Sequence, residues 1–262
     1  MTKYNSFIFE GHGTSEVDGS YDPGAVSGGI RENDIADKIV TSAIKQLEGT
    51  GLAIHRDEQN YIDDDLKGNT YTSNCGIVVH INAGGGQGVE IYPPCKEGHL
   101  DSDFMITHAI SQGLGIPNRG VKSRDYDSEA TYKRTNGQAL YYKDYYKEVR
   151  QAWEKGISLS ILEVGFIDSS DRDKILANID FVGKCVAEYI AFNNGVTLKA
   201  PTVAAPKPPV ATTTTTTTSN GKIYRVYVDG KKIGAYGNVD NILAQVKKGL
   251  DDKVATIEIT VI

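Results

Sequence analysis

Strand-length apolar runs alternate with helix-period stretches along residues 6–192. The run SFIFE at 6–10 is followed by Ile35, Ala36, Ile39, Ala43, Ile44 and Leu47, whose three- and four-residue spacing lays one apolar face on a helix over 32–48. A strand is predicted at 52–56 and others at 76–81, 89–92 and 159–164, while helical periodicity returns at 102–114, 145–155 and 171–192. Strands separated by helix-length segments need crossovers to pair side by side. The pattern therefore predicts an α/β fold, a mostly parallel sheet flanked by helices.

The periodicity stops at KAPTVAAPKPPVATTTTTTTSN, where Pro, Ala and Thr leave nothing to bury. Such a segment is an extended linker. It divides the chain into a large domain at 1–198, the linker at 199–221 and a small module at 222–262. In the module, YRVYVDGKKIGAY sets two alternating runs around the hairpin-forming pair Asp229-Gly230. Val239, Ile242, Leu243, Val246 and Leu250 then recur at helical spacing, and Ile257, Ile259 and Val261 alternate with polar residues. A ββαβ module is predicted, with a core thin enough to call for a copy of itself, as a homodimer, or another partner.

Of the 262 residues, 39% are hydrophobic, enough to fill a sizeable core. The formal charge of −6 leaves no general basic face to displace counterions, which excludes an obvious nucleic-acid binder. Residues 222–262 hold seven Lys/Arg and five Asp/Glu, a net +2 that leaves −8 on the rest, and a mildly basic module suits an anionic polymer such as a Gram-positive wall. The apolar runs at 77–81 and 159–162 fall far short of the roughly 20 residues that span a bilayer, so no membrane insertion is expected. The opening MTKYNSFIFEGHG has neither the apolar core nor the cleavage site of a secretory signal, so the protein is expected to stay at first inside the cell. Cys75, Cys95 and Cys185, odd in number and widely spaced, read as reduced thiols buried as small hydrophobes.

Candidate chemistry gathers at strand ends. Gly11-His12-Gly13 follows the first strand, and its glycines let His12 turn out over the strand's C-terminal edge, where ligands sit in open α/β sheets. Glu32 lies on the apolar face of the first helix, one turn ahead of Ile35 and Ala36; a carboxylate there needs a partner or a metal. His80 ends the run GIVVHIN and is delivered to the same edge, with Asn82 on its face. Two imidazoles and a carboxylate from separate element ends form the three-ligand set of a catalytic zinc, which lowers the pKa of water and polarises a carbonyl. Glu163, in the buried run SLSILEVGF, is the expected general base and acid.

GHG at 11–13, DPGAVSGGIRE at 22–32, VVHINAG at 78–84, GVEIY at 88–92 and LEVGFID at 162–168 resemble, in this order, the motifs of zinc-dependent N-acetylmuramoyl-L-alanine amidases of bacterial autolysins and phage endolysins. The resemblance runs over about residues 5–195. It implies zinc on His12, Glu32 and His80, catalysis by Glu163, and cleavage of the amide between the lactyl carboxyl of N-acetylmuramic acid and L-alanine. Asn82, Glu90, Asn118 and Arg119 are the expected substrate contacts. The Tyr-rich stretch 126–156 departs from the family pattern as an insertion. The linker, the C-terminal module and the opening sequence resemble an endolysin of a Gram-positive host, held in the host cytoplasm until the membrane is permeabilised, with wall peptidoglycan as its partner. A zinc peptidase acting on stem peptides, and a catalytically silent wall-binding protein, are the competing expectations.

Overall fold

The computed structural model describes residues 3–15, 18–56, 70–71, 75–95, 101–122, 124, 132–133, 139–140, 144–154, 157–198, 224–228, 231–236 and 257–261. Contacts divide the chain into two units, Met1–Pro206 and Lys207–Ile262. The first is built on β1 (Ser6–Glu10), α1 (Glu32–Leu47), β2 (Ile54–His55), β3 (Cys75–Asn82), β4 (Val89–Tyr92), α2 (Asp101–Leu114), β5 (Asn118–Val121), α3 (Lys147–Glu154), β6 (Ser158–Phe166), α4 (Asp171–Ala177) and α5 (Ile179–Asn193). The sheet order is β5-β4-β6-β3-β1-β2, and every neighbouring pair is parallel except β4 with β6. The α/β architecture expected from the periodicity is present.

The near-continuous apolar runs of β1, β3 and β6 follow from burial on both faces of the sheet. Ile8, Ile77, Val79, Leu162 and Val164 share a cluster with Ile35, Ile39 and Val40 of α1 and Val182, Val186 and Ile190 of α5. On the opposite face Phe7, Phe9, Val78, Leu159 and Ile161 pack with Val149 and Ala152 of α3. Among the described residues that face is covered more thinly. Along it each strand changes from apolar to polar at one edge: Val78 gives way to His80, and Ile161 to Glu163.

The helix expected over 171–192 is two, α4 and α5, separated at Asn178. Asn178 has φ −135 and ψ 33, outside the helical region, and its side chain donates to the Lys174 carbonyl, a local bond that competes with helix continuation. Periodicity alone carried straight through because Ile175, Val182 and Val186 stay on the core face. Cys75 and Cys185 are buried, whereas Cys95 is only half-buried. No described helix is long and apolar enough to cross a membrane.

In the second unit, β7 (Tyr224–Val228), β8 (Lys231–Tyr236) and β9 (Ile257–Val261) form an antiparallel sheet in the order β8-β7-β9. The linker at 199–221, the Asp229-Gly230 turn, the helix expected around Val239 to Leu250, and most of the Tyr-rich insertion lie outside the described residues.

Candidate functional site

The site begins where β1 leaves the sheet. Gly11 donates its backbone N–H to Val79, and His12 then turns away with φ 66, a left-handed conformation that histidine adopts more readily than bulkier residues. A Cβ on Gly11 would stand 2.2 Å from the His80 ring, so only glycine lets that imidazole lie across the strand end. Once β1 has departed, the amide of Ile81 on β3 has no strand partner on that side. Glu32 Oε1 takes it at 2.9 Å.

Glu32 joins the two histidines. Its Oε1 lies 2.9 Å from His80 Nδ1, and its Oε2 lies 3.2 Å from His12 Nε2 and accepts from the Ala25 amide at 2.9 Å. One donor atom from each of His12, Glu32 and His80 falls within 4.8 Å of the others. Convergent imidazole and carboxylate donors, Glu32 buried and the two histidines half-buried, fit a divalent metal ion, and among the described residues no other such group occurs.

The electrostatics agree. Burial favours an uncharged His12, but ion pairs with Glu32 and Asp22 outweigh it and hold the ring's pKa up to about 9. Burial disfavours charge on Glu32 as well, yet hydrogen bonds from both histidines keep its carboxyl well below the usual range. His80 is pushed down by burial and, more strongly, up by Glu32 and Glu163. The pocket is thus poised to exchange protons for a cation.

Glu163 stands beside this cluster. The register pairs it with His80 on one side and Glu90 on the other, so all three side chains leave the same face at the same edge. Its Oε2 is buried without a hydrogen-bond partner, and burial, aided by Glu32 and Glu90 against the pull of His80, pushes its pKa up to about 7. An acid poised near neutrality with an unspent oxygen has the properties of a proton carrier.

The remaining expected contacts lie next to it. Asn82 donates to Glu90 Oε1 at 3.0 Å, and Arg119 Nε donates to Glu90 Oε2 at 2.5 Å. Asn118 spends its side-chain oxygen on the Gly120 amide, shaping the turn that presents Arg119. Tyr92 and Lys122, not singled out by the sequence, also bond Glu90. Their signal is the two-residue spacing of Glu90 and Tyr92 on one strand face, while nothing in the sequence pairs Lys122 with Glu90.

Asp22 is a third residue that pattern reasoning missed, although it opens the DPG segment. One of its oxygens lies 2.8 Å from His12 Nδ1 and the other accepts from the Gly24 amide at 2.9 Å. The close turn needs glycine at 24, since a Cβ there would sit 2.5 Å from the His12 ring and 2.6 Å from Glu32 Oε2. Asp22 therefore fixes the ring so that Nε2 faces Glu32. Asp22→Ala is expected to weaken metal binding by about 10–100-fold, read by competition with a chromophoric chelator; an unchanged affinity would remove Asp22 from this role.

Residues 7–192 match the family model described as N-acetylmuramoyl-L-alanine amidase. Over 129 residues the chain is 28% identical to the sporulation-specific N-acetylmuramoyl-L-alanine amidase of Bacillus subtilis (strain 168), covering 46% of this chain and 48% of that protein. The chain thus spans about half the length of that curated relative. A crystal structure of a provisionally assigned N-acetylmuramoyl-L-alanine amidase from Neisseria meningitidis superposes with a TM-score of 0.51 at 21% identity, over 74% of this chain and 98% of the other, a likeness of fold. The family match takes in the whole of the sheet edge that holds His12, Glu32, His80 and Glu163, and the chain belongs to the N-acetylmuramoyl-L-alanine amidase family.

Proposed function

We propose that this chain hydrolyses the amide bond between the lactyl carboxyl of N-acetylmuramic acid and the L-alanine of the peptidoglycan stem, with zinc held by His12, Glu32 and His80. The observation that carries the reading is the buried, unpartnered Oε2 of Glu163 on the same sheet edge as the convergent donor set. Bound there, zinc would polarise the scissile carbonyl and bring water's pKa towards neutrality. Glu163 takes a proton from the attacking water as the carbon–oxygen bond forms. It returns that proton to the alanine nitrogen as the carbon–nitrogen bond breaks, leaving a free lactyl carboxylate and a free amine. Asp22 holds the His12 ring, and Glu32 is kept ionised by its two histidines and two backbone amides.

We read the protein further as a wall-lysing enzyme of the endolysin kind, held in the host cytoplasm until the membrane is opened and acting on a Gram-positive wall, with 222–262 as its wall-binding or dimerisation module. What supports this is the division of the chain into two compact units and the net +2 on residues 222–262. Digestion of purified Gram-positive walls tests the chemistry. New amino-terminal alanine without new reducing sugar, abolished by a chelator and restored by zinc, is the expected result. New reducing ends, or indifference to the chelator, would overturn it.

A further inference from the structure

We propose that Arg119 and Lys122, held on Glu90, form a docking site for the free carboxylate carried by the second residue of the stem peptide, an inference that rests on the amidase reading above. Glu90 is 2% exposed and cannot itself meet a ligand, because its acceptor positions are taken: Oε1 by Asn82 and Tyr92, Oε2 by Arg119 and Lys122. Two cations on one carboxylate leave a net positive charge. Arg119 and Lys122 are each about one-third exposed, at 36% and 34%. Arg119 gives only Nε to Glu90, so among the described residues both of its Nη groups keep their donors, arranged as the planar fork that grips a carboxylate with two parallel hydrogen bonds. Its guanidinium also lies 5.1 Å from the Phe166 ring centroid, which limits the rotamers open to it.

The placement fits the reach of a substrate. Glu163 on β6 pairs with Glu90 on β4, and Glu90 pairs with Gly120 on β5, so Arg119 lies two strand spacings from the proton carrier on the same edge. Two spacings are about 10 Å. From a leaving nitrogen within hydrogen-bond reach of Glu163, the extended alanine covers about 3.5 Å, the next residue's N–Cα–C stretch about 2.5 Å more, and a hydrogen bond at each end about 2.8 Å, roughly 12 Å in all. The first free carboxylate beyond the scissile amide, one residue after the alanine, is therefore within reach of Arg119. The α-carboxylate of a γ-linked D-glutamate at the second stem position is such a group, and amidation to isoglutamine removes its charge.

The test compares kcat/KM of the metal-loaded full chain on two soluble disaccharide tetrapeptides that differ only in carrying D-glutamate or D-isoglutamine at that position. Wild type is expected to favour the carboxylate form by about tenfold or more, mainly through KM, as a charge-assisted paired hydrogen bond would give. Arg119→Ala should bring the ratio to about one. Arg119→Lys keeps a cation against Glu90, so it should keep the melting temperature and an intermediate ratio, which separates a lost fork from a lost fold. Equal use of both substrates by wild type, or an unchanged ratio in Arg119→Ala, overturns the docking site while leaving the amidase reading intact. Failure to release amino-terminal alanine from either substrate and from intact walls overturns the amidase reading and this inference with it.

Discussion

Glu163→Gln is expected to lower turnover about 10²–10⁴-fold while leaving metal content unchanged, and to make the metal-free protein more stable above neutral pH. The two effects have one origin. Glu163 Oε2 is buried with no hydrogen-bond partner, and burial lifts the carboxyl's pKa from the ordinary 4.5 to about 7. Glutamine keeps the volume but cannot take up and release a proton near neutral pH, so transfer between water and the leaving nitrogen is lost. In the metal-free protein the sign of the linkage is fixed. A carboxyl with a raised folded pKa contributes no penalty below about pH 4.5, where it is protonated in both states. The cost of burying its charge grows as pH rises and is complete above about pH 7, where it amounts to roughly 3 kcal/mol. Urea denaturation of chelated wild type and Glu163→Gln should therefore coincide near pH 4 and diverge by up to about that amount at pH 8. Divergence in the other direction, or a variant that still turns over, would remove Glu163 as the proton carrier.

The same residue shows why the centre was legible in the sequence and its surroundings less so. His12, Glu32, His80 and Glu163 each break a local rule: a histidine between glycines after a strand, a carboxylate on an apolar helix face, and a histidine and a glutamate inside buried strand runs. Such departures stand out because burying a polar group costs free energy unless something offsets it. Asp22 and Lys122 break no rule. Both are charged residues in turn or edge segments, where charge is ordinary, and their partners lie 10 and 32 residues away in sequence. The antiparallel pairing of β4 with β6 was likewise invisible, because the residues of a short strand do not encode which way its neighbour runs. Yet that reversal brings the start of β4, and so Glu90, to the edge where β3 and β6 end. The break at Asn178 was hidden for the opposite reason: an unbroken apolar face spans both helices.

Glu32→Ala should bring metal content close to background and, in the chelated protein, remove more stability at pH 5.5 than at pH 10. Glu32 is 6% exposed in its side chain and serves both histidines and the amides of Ala25 and Ile81. Without it the two imidazoles, with ring centroids 5.0 Å apart, face one another with no shared counter-charge, and a three-donor site is reduced to two. Breaking such a pair costs roughly 3–5 kcal/mol where both members are charged. The pH window follows from the shifts. Glu32's depressed pKa gives stability that is present above about pH 4.5 and lost as pH falls further. His12's raised pKa gives stability that is complete below about pH 6.5 and lost as pH rises through about 9. The ion-paired cluster is therefore worth most between those limits, and the deficit of Glu32→Ala should be greatest there. Metal runs against the same protons: His12 must give one up to become a ligand, so wild-type affinity should rise with pH until about 9. Full metal content in Glu32→Ala would take this carboxylate out of the ligand set and leave it as a helix-start brace for the two histidines.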